Sequence, residues 1–181
     1  MQSKKFNPEN CFTFELTNYF NQYRSKFSLS NTIAENETQD GNTDYTIKGR
    51  NDIRIRYATR TIELNIDDYF VIECKRLDKS SNKQNKYISS GILDFVNEKY
   101  SSNNDNAFMI GYIEEGNIDD IISKINKKLK EKHIDITTLV LNKIDKVENF
   151  NYIYISKHKR KSLSPISLHH LMFDYKTIYN N

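Results

Sequence analysis

Residues Tyr69 to Leu77 read YFVIECKRL and predict a buried β-strand. The first half of this stretch is apolar at every position, which is typical of a central strand covered on both faces of a sheet. Successive side chains of a strand point to opposite faces, so Glu73 and Lys75, two residues apart, project from the same face. We therefore expect a carboxylate and an ammonium group side by side in largely apolar surroundings.

The pair of Glu73 and Lys75 has a structural and a functional interpretation. A buried charge is costly unless it is paired or binds a metal, and an ion pair within the strand would meet part of that cost. Alternatively, the strand emerges into solvent at Glu73, where the sequence becomes polar. Asp52 favours a functional role, because it starts an upstream alternating segment whose distance along the chain suits a neighbouring antiparallel strand. Asp52 and Glu73 would then lie side by side.

Two adjacent carboxylates are the beginning of a divalent metal site. Mg²⁺ typically takes one or two carboxylates together with waters and phosphate oxygens. Asp52 and Glu73 are therefore candidate metal ligands, and the backbone carbonyl of Cys74 is a third. Such a metal lowers the pKa of a water molecule and neutralises charge on a phosphate, and the pattern fits one metal or two. Lys75 would orient or deprotonate the attacking water, or stabilise the transition state.

The rest of the chain supplies elements on either side of this strand. An apolar stripe at helical spacing, from Phe12 to Phe27, predicts a helix that starts near Pro8. Glu15 lies at the edge of that stripe, either in water or pointing at a sheet edge. The polar stretch 28–42 predicts a long loop. Further strands are predicted at 44–48, 52–57, 61–66, 107–113, 134–141 and 152–156, with a turn or bulge at 49–51, and further helices at 85–100 and 118–129.

This order of elements predicts the fold class. A helix, three or four strands, a helix, a strand, a helix and further strands indicate an α/β or α+β sandwich. Its mixed central sheet would carry helices on both faces. The length of 181 residues suits a single domain, 1–181, with a core of its own.

The motif Asn51-Asp52 followed by Glu73-Cys74-Lys75, after an amphipathic helix that carries Glu15, resembles the PD-(D/E)xK nuclease superfamily. The resemblance implies the restriction-endonuclease-like fold, with a helix, three antiparallel strands, a helix and a further strand. It places the family's metal-binding aspartate at Asp52, its second carboxylate at Glu73 and its lysine at Lys75. The variable helical glutamate of the family falls on Glu15. Asn51 stands where the family often has proline, at a position that varies.

Several residues are candidates for auxiliary roles around these acids. The two arginines after Asp52 share its face if the strand is regular, and they either contact phosphates or face solvent. The helix after the lysine strand offers polar groups that either join the site or pack beside it. These candidates are Arg54, Arg56, Lys83, Lys86 and Tyr87. Two basic segments, the third helix and 157–161, either track a nucleic-acid backbone or form a solvated surface. The histidines at 158, 169 and 170 are interpreted as structural or surface residues.

The predicted activity is that of a Mg²⁺-dependent endonuclease in which Mn²⁺ can substitute. We expect DNA, in preference to RNA, as the substrate, in phage defence or in repair. Sequence specificity would be built into loops or supplied by a second copy or a partner, in a homodimer or a larger defence complex. The alternative on the same fold is a non-catalytic subunit that binds nucleic acid or a partner. A third interpretation is a small α/β protein in which Glu73 and Lys75 merely pair and Asp52 lies far away.

Composition limits the remaining classes of function. A content of 37% hydrophobic and 28% charged residues excludes disordered and fibrous chains, and a net charge of +3 is too small to indicate nucleic-acid binding by itself. Cys11 and Cys74 lack metal-ligand spacing, which indicates a reduced compartment. The sequence contains no apolar run for a signal peptide or a membrane span. We therefore expect a cytoplasmic protein without a membrane partner and, lacking a glycine-rich phosphate loop, without bound ATP.

Overall fold

The computed structural model describes residues 8–29, 31–41, 47–57, 69–100, 104–145, 147 and 150–176. Within these residues the strands are β1 (Thr32–Gly41), β2 (Ile47–Tyr57), β3 (Tyr69–Leu77), β4 (Asn106–Ile113), β5 (Thr137–Lys143), β6 (Ile153–His158) and β7 (Ile166–Asp174). The helices are α1 (Pro8–Tyr23), α2 (Ser81–Tyr87), α3 (Leu93–Val96) and α4 (Ile118–Lys132). A 3₁₀ turn (Arg24–Phe27) follows α1, and a π-helical turn (Ile88–Ile92) joins α2 to α3.

The strands form one mixed sheet in the order β1-β2-β3-β4-β7-β6-β5. Strands β1, β2 and β3 are antiparallel neighbours, while β4 runs parallel to both β3 and β7. The pairs β7–β6 and β6–β5 are antiparallel again. The prediction of a mixed central sheet with helices on both faces is thus confirmed, as is the strand from Tyr69 to Leu77.

The two faces of the sheet carry separate apolar clusters. Helices α2, α3 and α4 cover one face, here called the α4 face, where Val71 and Leu77 of β3 pack with Ile92 and Ile125. Helix α1 covers the other, the α1 face, where Cys74 packs with Phe12 and neighbouring residues of that helix. Because side chains alternate along β3, Glu73 and Lys75 belong to the α4 face and Cys74 to the α1 face.

Helix α1 begins at Pro8, as predicted, but it is rotated from the predicted stripe. Tyr19, assigned to that stripe, is 55% exposed, whereas Thr13 and Thr17 are buried. The Thr17 hydroxyl donates hydrogen bonds to the Thr13 carbonyl and to the side chain of Asn36 in β1. Two threonines with satisfied hydroxyls therefore lie on the buried side of the helix, and a pattern of apolar residues alone misses them.

The prediction of a loop over 28–42 is wrong, because most of this stretch forms β1. This strand lies at the edge of the sheet and pairs along its length with β2. An edge strand has one neighbour, and charged or polar side chains there prevent pairing with other chains. Of the turn or bulge predicted at 49–51, the turn is absent, because β2 runs continuously through these residues, while the register with β1 shifts next to Gly49, between Asp40 and Gly41. The predicted strand at 61–66 lies outside the described residues.

Two further boundaries differ from the prediction. The helix predicted from residue 85 begins at Ser81, where the Ser80 side chain accepts a hydrogen bond from the backbone N–H of Lys83. The segment around His169 and His170, for which no strand or helix was predicted, is strand β7 inside the sheet. No helix in the described ranges combines the length and apolar character needed to cross a membrane.

Candidate functional site at the β2–β3 pair

Antiparallel pairing between β2 and β3 brings Asp52 to the middle of β3. Ile53 lies opposite Ile72, so Asp52 stands beside Glu73 and Cys74. The Asp52 carboxylate accepts a 2.7 Å hydrogen bond, at Oδ2, from the backbone N–H of Cys74. The interpretation in which Asp52 lies far from Glu73 therefore does not describe this structure.

The ammonium group of Lys75 lies among three oxygen atoms. It donates hydrogen bonds to the Glu73 carboxylate and, at 3.0 Å, to the Cys74 carbonyl. It also lies 3.7 Å from Oδ2 of Asp52. The three oxygens proposed from sequence as metal ligands therefore converge on one positive charge. We call Asp52, Glu73, Lys75 and the Cys74 carbonyl the acid–lysine cluster.

Exposure to solvent increases across this cluster. The Glu73 side chain is 6% exposed, that of Lys75 15% and that of Asp52 27%. Burial, followed by repulsion from Asp52, raises the pKa of Glu73 to about 7, although Lys75 lowers it in part. Glu73 therefore exchanges its proton near neutral pH, a property common among groups at functional sites.

Tyr100 holds the second oxygen of Glu73. Its hydroxyl donates a 2.7 Å hydrogen bond to Oε2, and both residues are buried. Burial and the neighbouring Glu73 carboxylate raise the pKa of Tyr100, so the phenol stays protonated and remains a donor. Sequence patterns do not indicate this residue, because Tyr100 falls at the end of a predicted helix and its spacing to Glu73 matches no motif.

Cys74 contributes its carbonyl to the cluster and not its thiol. The sulfur points to the α1 face, where the Tyr112 hydroxyl donates to it at 3.6 Å. Burial raises the pKa of the thiol to about 12, so the sulfur remains protonated and is a poor metal ligand. This geometry agrees with the predicted role of the carbonyl alone.

The π-helical turn covers Lys75 closely. A β-carbon placed on Gly91 would collide with Cε of Met109 and would lie 3.9 Å from Cγ of Lys75. The absence of a side chain at Gly91 thus lets the helix approach the sheet at the cluster. Ser90 has φ −115° and ψ 19° within this turn, so the helix is kinked where it covers the cluster.

Glu15, the fourth predicted catalytic residue, is not brought to this cluster. Helix α1 packs on the α1 face, opposite the face from which Glu73 and Lys75 project. The Glu15 side chain is exposed, while Thr13 and Thr17 take the buried side of the helix. The rotation of α1 away from the predicted stripe accounts for this placement.

Two of the three auxiliary candidates on α2 are engaged elsewhere. Lys83 pairs with Asp78 at 2.7 Å and with Glu114. Tyr87 is fully buried and forms a 2.8 Å hydrogen bond with Nδ1 of His170. Lys86 is exposed on the same helix.

The two predicted basic segments are partly structural. In α4, Lys128 donates to the Ser81 and Asn85 side chains, which ties α4 to α2. In the segment 157–161, Arg160 pairs with Asp105 at 2.8 Å and its side chain is only 3% exposed. His158 is completely buried. Some of the basic side chains predicted for a nucleic-acid surface therefore form contacts within the protein.

The donor set of the cluster suits a hard cation. Two carboxylates and a backbone carbonyl are oxygen ligands of the kind that Mg²⁺ and Mn²⁺ prefer. The convergence of these three oxygens on the Lys75 ammonium shows that the position stabilises a positive charge. In the described part of the chain, no three His, Cys, Asp or Glu side chains come together as a larger metal cluster. Substrate and water would therefore have to complete the coordination.

Comparison with known proteins gives no further assignment: no protein-family model, curated protein or solved structure matches this chain. The resemblance to the PD-(D/E)xK nucleases therefore stays a prediction that depends on the motif residues and their placement.

Proposed function

We propose that this protein is a Mg²⁺-dependent nuclease with a restriction-endonuclease-like fold. The observation that carries the proposal is the convergence of Asp52, Glu73 and the Cys74 carbonyl on the ammonium group of Lys75. The element order supports it, because α1, three antiparallel strands, the α2–α3 connection and the parallel strand β4 follow the order that the resemblance implies. DNA is the proposed substrate.

Each residue of the acid–lysine cluster has a distinct role in this proposal. Asp52, Glu73 and the Cys74 carbonyl would hold the metal, which supplies a Lewis acid for the phosphodiester and its attacking water. Lys75 would place a positive charge beside these ligands and stabilise negative charge that develops on the phosphate. Tyr100 keeps Glu73 in position through its hydrogen bond, as outer partners of metal ligands commonly do.

The test is cleavage of plasmid DNA in the presence of Mg²⁺, compared with Asp52→Ala and Lys75→Ala variants. We expect the wild-type chain to nick or linearise the plasmid, and both variants to be inactive at the same concentration. EDTA should stop the reaction, and Mn²⁺ should restore it. Cleavage that survives both substitutions would show that the acid–lysine cluster is not the catalytic site.

A second candidate is a non-catalytic subunit that binds nucleic acid or a partner. The observation in its favour is that the Lys75 ammonium group already pairs with both carboxylates, so a positive charge stands among these oxygens without a metal. Thermal unfolding with and without Mg²⁺ or Mn²⁺ distinguishes the two candidates. A metal-binding nuclease gains melting temperature as the metal concentration rises above its Kd, and Asp52→Ala removes the gain. A binding subunit shows no gain in either chain.

A further inference from the structure

Arg54 projects from the same face of β2 as Asp52, two residues along the strand. At about 3.3 Å per residue, its Cα lies about 7 Å from that of Asp52. The guanidinium carbon of Arg54 lies 3.6 Å from the centroid of the Tyr69 ring. Tyr69 is 1% exposed, and its carbonyl accepts a 2.7 Å hydrogen bond from the Asn104 side chain. Arg54 thus lies on a fixed aromatic support on the face of the sheet that carries the acid–lysine cluster.

The two arginines of β2 differ in how they are used. Arg56 donates from both Nε and Nη2 to the carboxylate of Glu35 in β1. The Nε atom of Arg54 is buried and lacks a hydrogen-bond partner among the described residues. Buried polar groups in native proteins are nearly always hydrogen-bonded, so an exception calls for an explanation. The Arg56 guanidinium is therefore already paired within the protein, whereas Arg54 keeps a donor without an acceptor among the described residues.

The chemistry of Arg54 selects the kind of ligand. A guanidinium group presents planar, forked donors that match two oxygens of one phosphate. Stacking on Tyr69 orients this plane in advance, which reduces the conformational freedom lost on binding. The phosphates of one strand advance by about 3.4 Å per nucleotide along the axis of a duplex. An offset of about 7 Å along β2 therefore suits a phosphate near the one at the acid–lysine cluster.

We infer that Arg54, supported by Tyr69, binds a nucleic-acid phosphate one or two nucleotides from the scissile bond and so positions the strand over the acid–lysine cluster. This inference rests on the proposed nuclease function. Arg54 is a positioning residue, since it acts on the substrate away from the reacting phosphate. Its removal should weaken binding and raise KM, with a much smaller effect on kcat.

The test measures binding of a fluorescein-labelled DNA duplex in EDTA, which prevents cleavage, over a series of salt concentrations. Each phosphate contact adds about 0.9 to the slope of log K against log salt. Arg54→Gln should lower that slope by about 0.9 and weaken binding at every salt concentration. Arg54→Lys should keep the slope, because it keeps the charge, but bind more weakly because it loses the forked geometry.

The matched control is the double variant Glu35→Gln with Arg56→Gln, which removes a paired arginine from the same strand without a change in net charge. This double variant should bind the DNA duplex with the same slope of log K against log salt as the wild type. If a folded Arg54→Gln protein binds the duplex with wild-type affinity and with the wild-type slope of log K against log salt, the inference about Arg54 is overturned. Cleavage of DNA by the wild type would still support the proposed nuclease function in that case. If Arg54→Gln does not fold, wild-type affinity and KM in Arg54→Lys would overturn it equally. A wild-type chain without affinity for the duplex would overturn both.

Discussion

The carboxylate of Asp52 accepts a 2.7 Å hydrogen bond from the backbone N–H of Cys74, so β2 fixes its acid directly on the backbone of β3. This contact holds the acid beside Glu73 and the Cys74 carbonyl independently of side-chain packing. It also separates two properties of Asp52 that mutation can test one at a time. One is the hydrogen bond to β3, and the other is the negative charge.

Asp52→Asn keeps an oxygen acceptor for the Cys74 N–H and removes the charge. We expect the fold to be retained and Mg²⁺-dependent DNA cleavage to fall by more than about 100-fold, the upper end of the effect of losing an outer partner of a metal ligand. Plasmid cleavage and thermal unfolding are the measurements. Asp135→Asn, an exposed acid before β5, is the control. Equal activity in both variants would contradict a role for the Asp52 charge.

Lys75→Met removes the ammonium group and keeps a similar unbranched side chain. Loss of one preorganised positive group should lower kcat by about 10²–10³. Lys75 lowers the pKa of Glu73, so without it that pKa should rise further and the buried carboxyl should stay neutral. Single-turnover cleavage measures the effect, with Lys124→Met on the exposed side of α4 as control. A wild-type kcat in Lys75→Met would exclude an electrostatic role in the transition state.

Tyr100→Phe removes the hydroxyl that donates to Glu73 and preserves the ring. Because both groups are buried, we expect a loss of about 1–3 kcal/mol in the free energy of unfolding. Cleavage should fall by about 10- to 100-fold, since Glu73 loses the partner that orients it. Urea denaturation and initial cleavage rates test the two effects separately. Tyr19→Phe, on an exposed tyrosine of α1, should change neither quantity.

Glu15→Gln tests the one predicted catalytic residue that the structure places elsewhere. Because Glu15 is exposed on α1, across the sheet from Glu73 and Lys75, we expect wild-type cleavage rates and an unchanged requirement for Mg²⁺. Glu73→Gln, measured in parallel, should be inactive. A loss of cleavage in Glu15→Gln equal to that in Glu73→Gln would mean that α1 contributes to the site after all.

The buried histidine network of the α4 face predicts a dependence of stability on pH. Ser156 joins Nε2 of His158 at 2.8 Å to Nε2 of His170 at 2.7 Å. Burial, and to a lesser extent the nearby His133, lowers the pKa of His158 to about 4 from its ordinary 6.5. Below pH 6.5 the unfolded chain takes up a proton that the native chain does not. Stability due to His158 is therefore complete above pH 6.5 and falls by about 1.4 kcal/mol per pH unit down to about pH 4.

The measurement is urea unfolding between pH 7 and pH 5 for the wild type and for His158→Gln. The raised pKa of Glu73 acts in the opposite direction, because the native chain then binds the extra proton, but it is present in both proteins. We expect the wild-type free energy of unfolding to fall more steeply on acidification, by about 1.4 kcal/mol per pH unit. Parallel pH profiles would show that His158 is not held neutral by the fold.

Sequence periodicity was sufficient for elements with a strong apolar pattern and insufficient for polar ones. Strand β3 matches its prediction from Tyr69 to Leu77, since a strand between two helical layers is apolar on both faces. Strand β1 was predicted as a loop, because at the sheet edge backbone pairing with β2 stabilises a polar segment. Strand β7 was also missed, since the sequence does not show that His170 is buried and paired with Tyr87 and Ser156.

The sequence by itself determined which chemical groups the candidate site contains, because alternation along one strand puts Glu73 and Lys75 on the same face. It also indicated Asp52 as their partner, through the spacing of two strands. Only the tertiary structure decided the rest. Contacts between residues distant in the chain set the strand register that joins Asp52 to Cys74, and they bring Tyr100 to Glu73. The same kind of contact turns Glu15 away from the site and stacks Arg54 on Tyr69. Such contacts depend on how helices and strands pack, which local sequence patterns do not encode.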